Sequence, residues 1–355
     1  MRINDVFTAR SLAFRLTEDP TNAQPYLGEA FFPVKKKMGI DLKWIKAHKG
    51  LGVELKPSTY DALSTIRPRK GFVVQKEEMP LFRESMKVSE QDMSEIQRAQ
   101  ESGDPYVQAV LENIFDDVNT LVTGAKIASE RMRMSLLAPA TGDMVINIGT
   151  ADNMIYNYNY DPNGTWKGTN YMALSEGAKW DAPSTAKPLT DLTTAMNALA
   201  DKGYKGQFLM LNSTTLNLLA EITQMKNALI SITGNVIDFL DTPTVKEIIQ
   251  RKTGLITIVN DKKYTDVNGT EKKFYPDGYA TIIGAQTLGN LYMGTTPEER
   301  TLLGDPKVNV SILDSGIAVA IQDSYGPPVR RDVTVSQIAL PSFEGMDAVY
   351  EIKVK

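Results

Sequence analysis

The sequence predicts an α+β fold in more than one compact part, and three observations carry this. Residues 34–87 are patterned for extended structure, one unusually long helical periodicity follows them, and the second half alternates helix and strand patterns before ending in strands. At about 150 residues per domain, the 355 residues leave room for two cores. Hydrophobic residues make up 42% and charged residues 23%, close to globular averages, so a disordered chain is excluded.

Residues 1–33 carry a short amphipathic piece (Ile3, Val6, Phe7, Leu12, Phe14, Leu16) and end in Phe31-Phe32-Pro33. That is too little apolar surface for a core of its own, so this arm must pack on something else. Residues 34–87 hold 13 Lys and Arg against 6 Asp and Glu, a net of +7. Gly39 to Lys46 alternates apolar and charged residues, as a two-faced strand does, and Gly71 to Gln75 is a second strand candidate. Pro33, Pro57, Pro68 and Pro80 interrupt the stretch too often for a helix, which leaves a long basic β-ribbon.

Ser89-Glu90-Gln91-Asp92 opens a short helix, and Asp104 with Pro105 at the first helical position starts a second. From Val107 through Val110, Leu111, Ile114, Val118, Leu121, Val122, Ala125 and Met132 the three-four spacing continues to about Leu137, roughly 45 Å of helix at 1.5 Å per residue. Residues 143–187 read as a β-hairpin and loop with a turn at Asp161-Pro162-Asn163-Gly164. Helices are then expected over 189–202, 213–225 and 242–252, and strands over 207–211, 254–259 and 279–283. The chain closes in strands over 307–313, 316–323, 333–338 and 348–355.

The chemistry candidates are thin. With no cysteine and a single histidine, His48, disulfides, thiolate or His-rich metal sites and a cysteine nucleophile cannot be built. There is no Gly-Lys dipeptide, hence no P-loop, and Gly50-Leu51-Gly52 meets Leu55 where a third glycine belongs. Asp116 and Asp117, adjacent on the long helix, point about 100° apart and cannot share a proton. Asp261, Asp266, Asn268 and Gly269 miss the spacing of a calcium loop, and a type I′ turn at Asn268-Gly269 explains them. The tyrosines between 156 and 160 read as a sheet face. No apolar h-region or membrane-length apolar run occurs, and the expectation is a soluble intracellular product without a catalytic site or cofactor. A net charge of −4 does not point to a nucleic-acid binder.

The run Asn268 to Gly284, with its Pro276-Asp277-Gly278 turn and following apolar strand, resembles the major capsid protein E family of lambda-like tailed phages. Phe31-Phe32-Pro33, the extended segment ending in Glu78-Met79-Pro80-Leu81-Phe82, the Ser89 helix start and the long helix follow the same order. The resemblance implies the Hong Kong 97-like capsid fold: an N-arm over 1–33, an E-loop over 34–87, a P-domain with spine helix over 88–142, a hairpin insertion over 143–187, an A-domain over 188–303, and P-domain return strands over 304–355. It further implies a structural head protein that forms pentamers and hexamers around double-stranded DNA, in a virion capsid assembled in the host cytoplasm. Another head or tail component is the alternative, and an enzyme or DNA-binding module a more distant one.

Its partners would be further copies of itself, a scaffolding protein, a portal and a decoration protein. A separate scaffold is expected because the arm begins at Met1. No covalent crosslink is expected, because Asn309 is the only asparagine from Asp305 to Lys355. Contact residues between copies are expected on the ribbon, at Lys35, Lys36, Lys37, Lys43, Trp44, Ile45, Lys46, Arg67, Arg69, Lys70 and Phe72, and on the spine helix at Glu112, Asp116 and Asp117. Residues 88–135 carry nine acids and four bases, so the two segments are complementary in charge.

Overall fold

The computed structural model describes residue 9 and residues 26–45, 74–91, 93–94, 105–149, 155–233, 240–304, 309–314, 316–324, 326 and 329–355. In chain order the first half contains helix α1 (Leu27–Phe31), strands β1 (Val34–Lys36), β2 (Asp41–Ile45), β3 (Val74–Glu78) and β4 (Leu81–Val88), and helix α2 (Pro105–Leu137). Then come β5 (Val145–Gly149), β6 (Ile155–Asn159), α3 (Thr165–Asn170), β7 (Tyr171–Ala173), α4 (Pro188–Asp201), β8 (Phe208–Leu211), α5 (Ser213–Glu221) and α6 (Thr223–Thr233). The remainder is α7 (Thr242–Thr253), β9 (Ile256–Val259), β10 (Lys263–Thr265), β11 (Glu271–Lys273), β12 (Tyr279–Ile283), β13 (Leu291–Met293), α8 (Pro297–Gly304), β14 (Val310–Leu313), β15 (Ile317–Ser324), β16 (Arg330–Pro341) and β17 (Val349–Lys353). These elements fall into two units, one drawn from Met1–Leu42, Lys76–Arg133 and Asn290–Ser342, the other from Lys43–Gln75, Met134–Gly289 and Phe343–Lys355.

The first unit is organised by β16. It pairs antiparallel with β15 on one side and, on the other, with β4 over residues 331–338 and β13 over 339–341. β14 extends the sheet beyond β15, and β1 adds in parallel to β13. Alternation puts Val319, Ile321, Val333 and Val335 on one face, where they bury against Val118 and Val122 of α2. The three-four stripe read from the sequence is therefore the surface that packs on this sheet. The short helix α1 docks on α2 through a backbone contact, Gly28 N–H donating to Glu130 Oε1 at 2.9 Å.

The second unit is built on a sheet of order β7-β17-β12-β8-β9. One face, with Leu209, Leu211, Ala280, Ile282, Tyr350 and Ile352, packs on apolar residues of α4, α5, α6 and α7. Helix starts are fixed by side chains, as Asn212 Oδ1 accepts from Thr215 N at 2.9 Å and Asp241 Oδ1 from Thr244 N at 3.2 Å. Gly254, left-handed at φ 77°, ends α7, the position where glycine is favoured. On the opposite face Tyr275 Oη donates to Met210 O at 3.0 Å, and Thr281 Oγ1 donates to Leu137 O at 2.7 Å. Glu351 lies on β17 opposite Thr281 and Tyr171. It is fully buried, neither of its carboxyl oxygens has a hydrogen-bond partner, and burial pushes its pKa up to about 9.

Three expectations are corrected. The helix expected over 213–225 breaks at Ile222, which is extended, because Thr223 N–H turns to Pro183 O at 2.9 Å and a new helix begins there. The loop joining β10 to β11 is not a type I′ turn, since Gly269 has positive φ and Asn268 does not. Asp266 Oδ1 instead accepts from Asn268 N and Thr270 N, giving a turn followed by a left-handed glycine. The loop expected after the Asp161 turn contains α3, started by the Asp161 carboxylate, which accepts from Thr165 N and Lys167 N, both at 3.0 Å.

Candidate assembly surface

β2 and β3 pair with each other as a two-stranded ribbon. The alternation read from the sequence is realised on β2, where Asp41 and Lys43 are exposed and Leu42 and Trp44 buried. Trp44 is only 4% exposed, with its ring 5.4 Å from that of Tyr160, and its Nε1–H lacks a partner. The ribbon tryptophan is thus buried within its own chain, on the aromatic face of the β5–β6 hairpin.

The three consecutive lysines divide their roles. Lys36 Nζ sits 2.5 Å from Glu299 Oε2 and donates to Gly294 O at 3.0 Å. Lys35 and Lys37 instead place their amines 5.8 and 5.9 Å from the Tyr292 ring centroid, within cation–π range. Met38 beside them is 80% exposed, and Val34, Ile40 and Leu81 are also exposed. On α2, Asp116 and Asp117 both face solvent. Lys46, Arg67, Arg69, Lys70 and Phe72, together with His48 and the side chains of Ile45 and Glu112, lie outside the described residues.

Two groups of residues escaped the sequence reading. Glu298 and Glu299 open α8, Glu298 Oε1 lying 2.7 Å from Arg83 Nη2. Thr296-Pro297-Glu298-Glu299 has the form of a capping box, which was the available signal; Thr296 Oγ1 accepts from Glu299 N at 3.2 Å. The second group is Glu130 and Arg133 under α1. Burial raises the Glu130 pKa, against the pull of the Gly28 N–H and Arg133, and burial lowers that of Arg133. No sequence pattern marks that pair, since α1 approaches it from about a hundred residues away. Among the described residues no group of acids and histidines has the geometry of a metal site, and no helix is long and apolar enough to cross a membrane.

A core-bearing sheet unit packed by a 33-residue helix, a second mixed unit and a two-stranded ribbon are the parts of a viral shell subunit of the Hong Kong 97-like capsid fold. Solved structures agree at the level of fold. A putative capsid protein of an Escherichia coli prophage matches with TM-score 0.63 and 12% identity, over 98% of this chain and 99% of that one. A phage-related protein from Bordetella bronchiseptica matches with TM-score 0.58 and 14% identity, over 98% and 96%. The capsid of cyanophage A-1(L) matches with TM-score 0.50 and 13% identity, over 92% and 91%. No curated protein gives a significant match. The family model for phage major capsid protein E matches residues 8–314, and the chain belongs to that family. It is a structural head-shell protein and not an enzyme.

Proposed function

We propose that copies of this chain form pentamers and hexamers of a closed head shell, with the ribbon of residues 34–87 acting as an E-loop laid on a neighbouring copy. On this reading residues 1–33 are the N-arm, 88–142 the P-domain with its spine helix, 143–187 a hairpin insertion, 188–303 the A-domain and 304–355 the return strands. The observation that supports it best is the division of the lysines. Lys36 is paired with an acid inside its own subunit, whereas Lys35 and Lys37 rest on the Tyr292 ring, and this supports a reading in which their charges, beside Met38, meet the exposed Asp116 and Asp117 of a neighbour. Each such exposed pair contributes only about 0–1 kcal/mol, but it recurs at every boundary of a shell. A scaffolding protein, a portal, a decoration protein and packaged DNA complete the proposal, with assembly in the host cytoplasm.

The test is the double variant Lys35→Glu with Lys37→Glu, leaving Lys36 in place, followed by sedimentation and negative-stain microscopy. Fewer shells from a normally folded subunit, recovered in part by Asp116→Lys with Asp117→Lys, is the expected outcome. Normal shells with unchanged salt sensitivity would show that these lysines serve only as solvated surface.

A further inference from the structure

We infer that Glu298 and Glu299 form a clamp at the root of the ribbon that fixes the direction in which it leaves the first unit, and so positions the contact used between copies. This deepens the shell reading and rests on it.

The ribbon has an outgoing leg, from β1 into β2, and a returning leg, from β3 into β4. Each leg carries one base that reaches an acid at the start of α8. Lys36 on the outgoing leg lies 2.5 Å from Glu299 Oε2, and Arg83 on the returning leg lies 2.7 Å from Glu298 Oε1. Successive helix positions diverge by about 100°, so two adjacent acids reach two different legs where one could not. The acids are the anchored members, their side chains 15% and 11% exposed against 43% for Arg83 and 31% for Lys36. Glu298 is held further by Ser336 Oγ, which donates to its Oε2 at 2.6 Å.

The legs also close on the backbone beneath the clamp. Met79 N–H donates to Ile40 O, joining one leg to the other, and Lys37 N–H donates to Met293 O, each at 2.8 Å. A Cβ placed on Gly294 would come within 2.8 Å of Gly39 O on the outgoing leg and 3.0 Å of Met79 Cε on the returning leg. Both legs therefore pass directly over the connection from β13 to α8. A two-stranded ribbon is marginal by itself, and a part-buried acid that loses its base leaves an uncompensated charge. The clamp is neutral only while both legs are seated.

Because the chain has no cysteine, spin labels can be placed at Asp41→Cys on the ribbon root and Gln322→Cys on β15, both exposed. In Glu298→Gln with Glu299→Gln, the distance distribution between the labels should broaden in the isolated subunit, and shell yield should fall about tenfold. The swapped pairs Lys36→Glu with Glu299→Lys and Arg83→Glu with Glu298→Arg should narrow it again and recover much of the yield, because each restores a complementary pair. An unchanged distribution in the double glutamine variant would overturn the clamp, whether shells form or not. If that variant fails to fold, a swapped pair with a broad distribution would overturn it equally. A wild-type chain that forms no shells while its label distance still depends on Glu298 and Glu299 would sink the shell reading and leave the positioning role standing.

Discussion

At Glu351 a carboxyl group lies in the middle of a sheet with nothing to bond to, which determines its protonation. Its folded pKa is raised from 4.5 to about 9, by burial. A raised carboxyl is neutral in the folded state while its unfolded counterpart ionises, so its contribution is fully present below pH 4.5 and is lost as pH rises towards 9. Glu351→Gln should therefore be more stable than wild type by a few kcal/mol near pH 8, with the gain shrinking towards pH 4.5. Thermal unfolding at several pH values reads this directly, and an equal effect at both ends would show that Glu351 ionises without difficulty. The indoles make a second comparison. Trp166 Nε1–H reaches Met346 O at 3.0 Å and Val349 O at 3.2 Å, whereas Trp44 Nε1–H reaches nothing. Trp166→Phe should cost about 1 kcal/mol more than Trp44→Phe, the worth of a hydrogen bond, in paired denaturant titrations.

The elements that could be read from the sequence are those whose signals are local. Helix α2 declares itself through Asp104-Pro105 and an unbroken apolar stripe, and its observed limits, Pro105–Leu137, match the expected ones. Helix α3 could not be read, because six residues are too few for a period, its N-cap is Gly164, and the carboxylate that meets its first-turn amides, Asp161, stands four residues before Thr165. Helix α8 carried its capping box but lacked a long stripe behind it. The docking of α1 was equally hidden, since Gly28 has meaning only against α2. A Cβ there would stand 2.5 Å from Glu130 Oε2 and 2.9 Å from Arg133 Cβ. The carboxylate can swing away but Arg133 Cβ cannot, so Gly28→Ala should cost about 1–3 kcal/mol and raise proteolysis around residues 26–33. Unchanged cleavage and stability would mean that α1 does not need this close approach.

For the whole molecule, composition had removed disulfide, thiolate and His-rich metal chemistry, and the uneven charge of residues 34–87 pointed to contact with another macromolecule. What composition could not supply was the pairing of particular charges. Lys36, grouped in the sequence with its neighbours, pairs with Glu299, and the Trp44 ring lies on Tyr160 of its own chain. Such pairings join residues far apart in sequence, and no local pattern encodes them. The same holds for Asn309, whose Oδ1 accepts the Ala9 amide at 2.7 Å. With the only asparagine of residues 305–355 serving as an internal tie, that stretch offers no ready acceptor for a lysine, and denaturing gels of mature particles should show a single band. A ladder of covalent oligomers would contradict this.

The position of β17 has a consequence for the timing of the subunit's life. This strand lies between β7 and β12, inside its sheet, yet it is drawn from residues 349–353, after everything else in the sheet has been synthesised. On a ribosome the second unit stays open along the side of β12 that β17 will occupy until those residues emerge. Folding dominated by such distant pairings is slow, and an unfilled place beside an apolar strand invites wrong strands as readily as right ones. The second unit is thus open to mispairing for as long as residues 349–353 are still to be made, and its sheet closes only when they arrive.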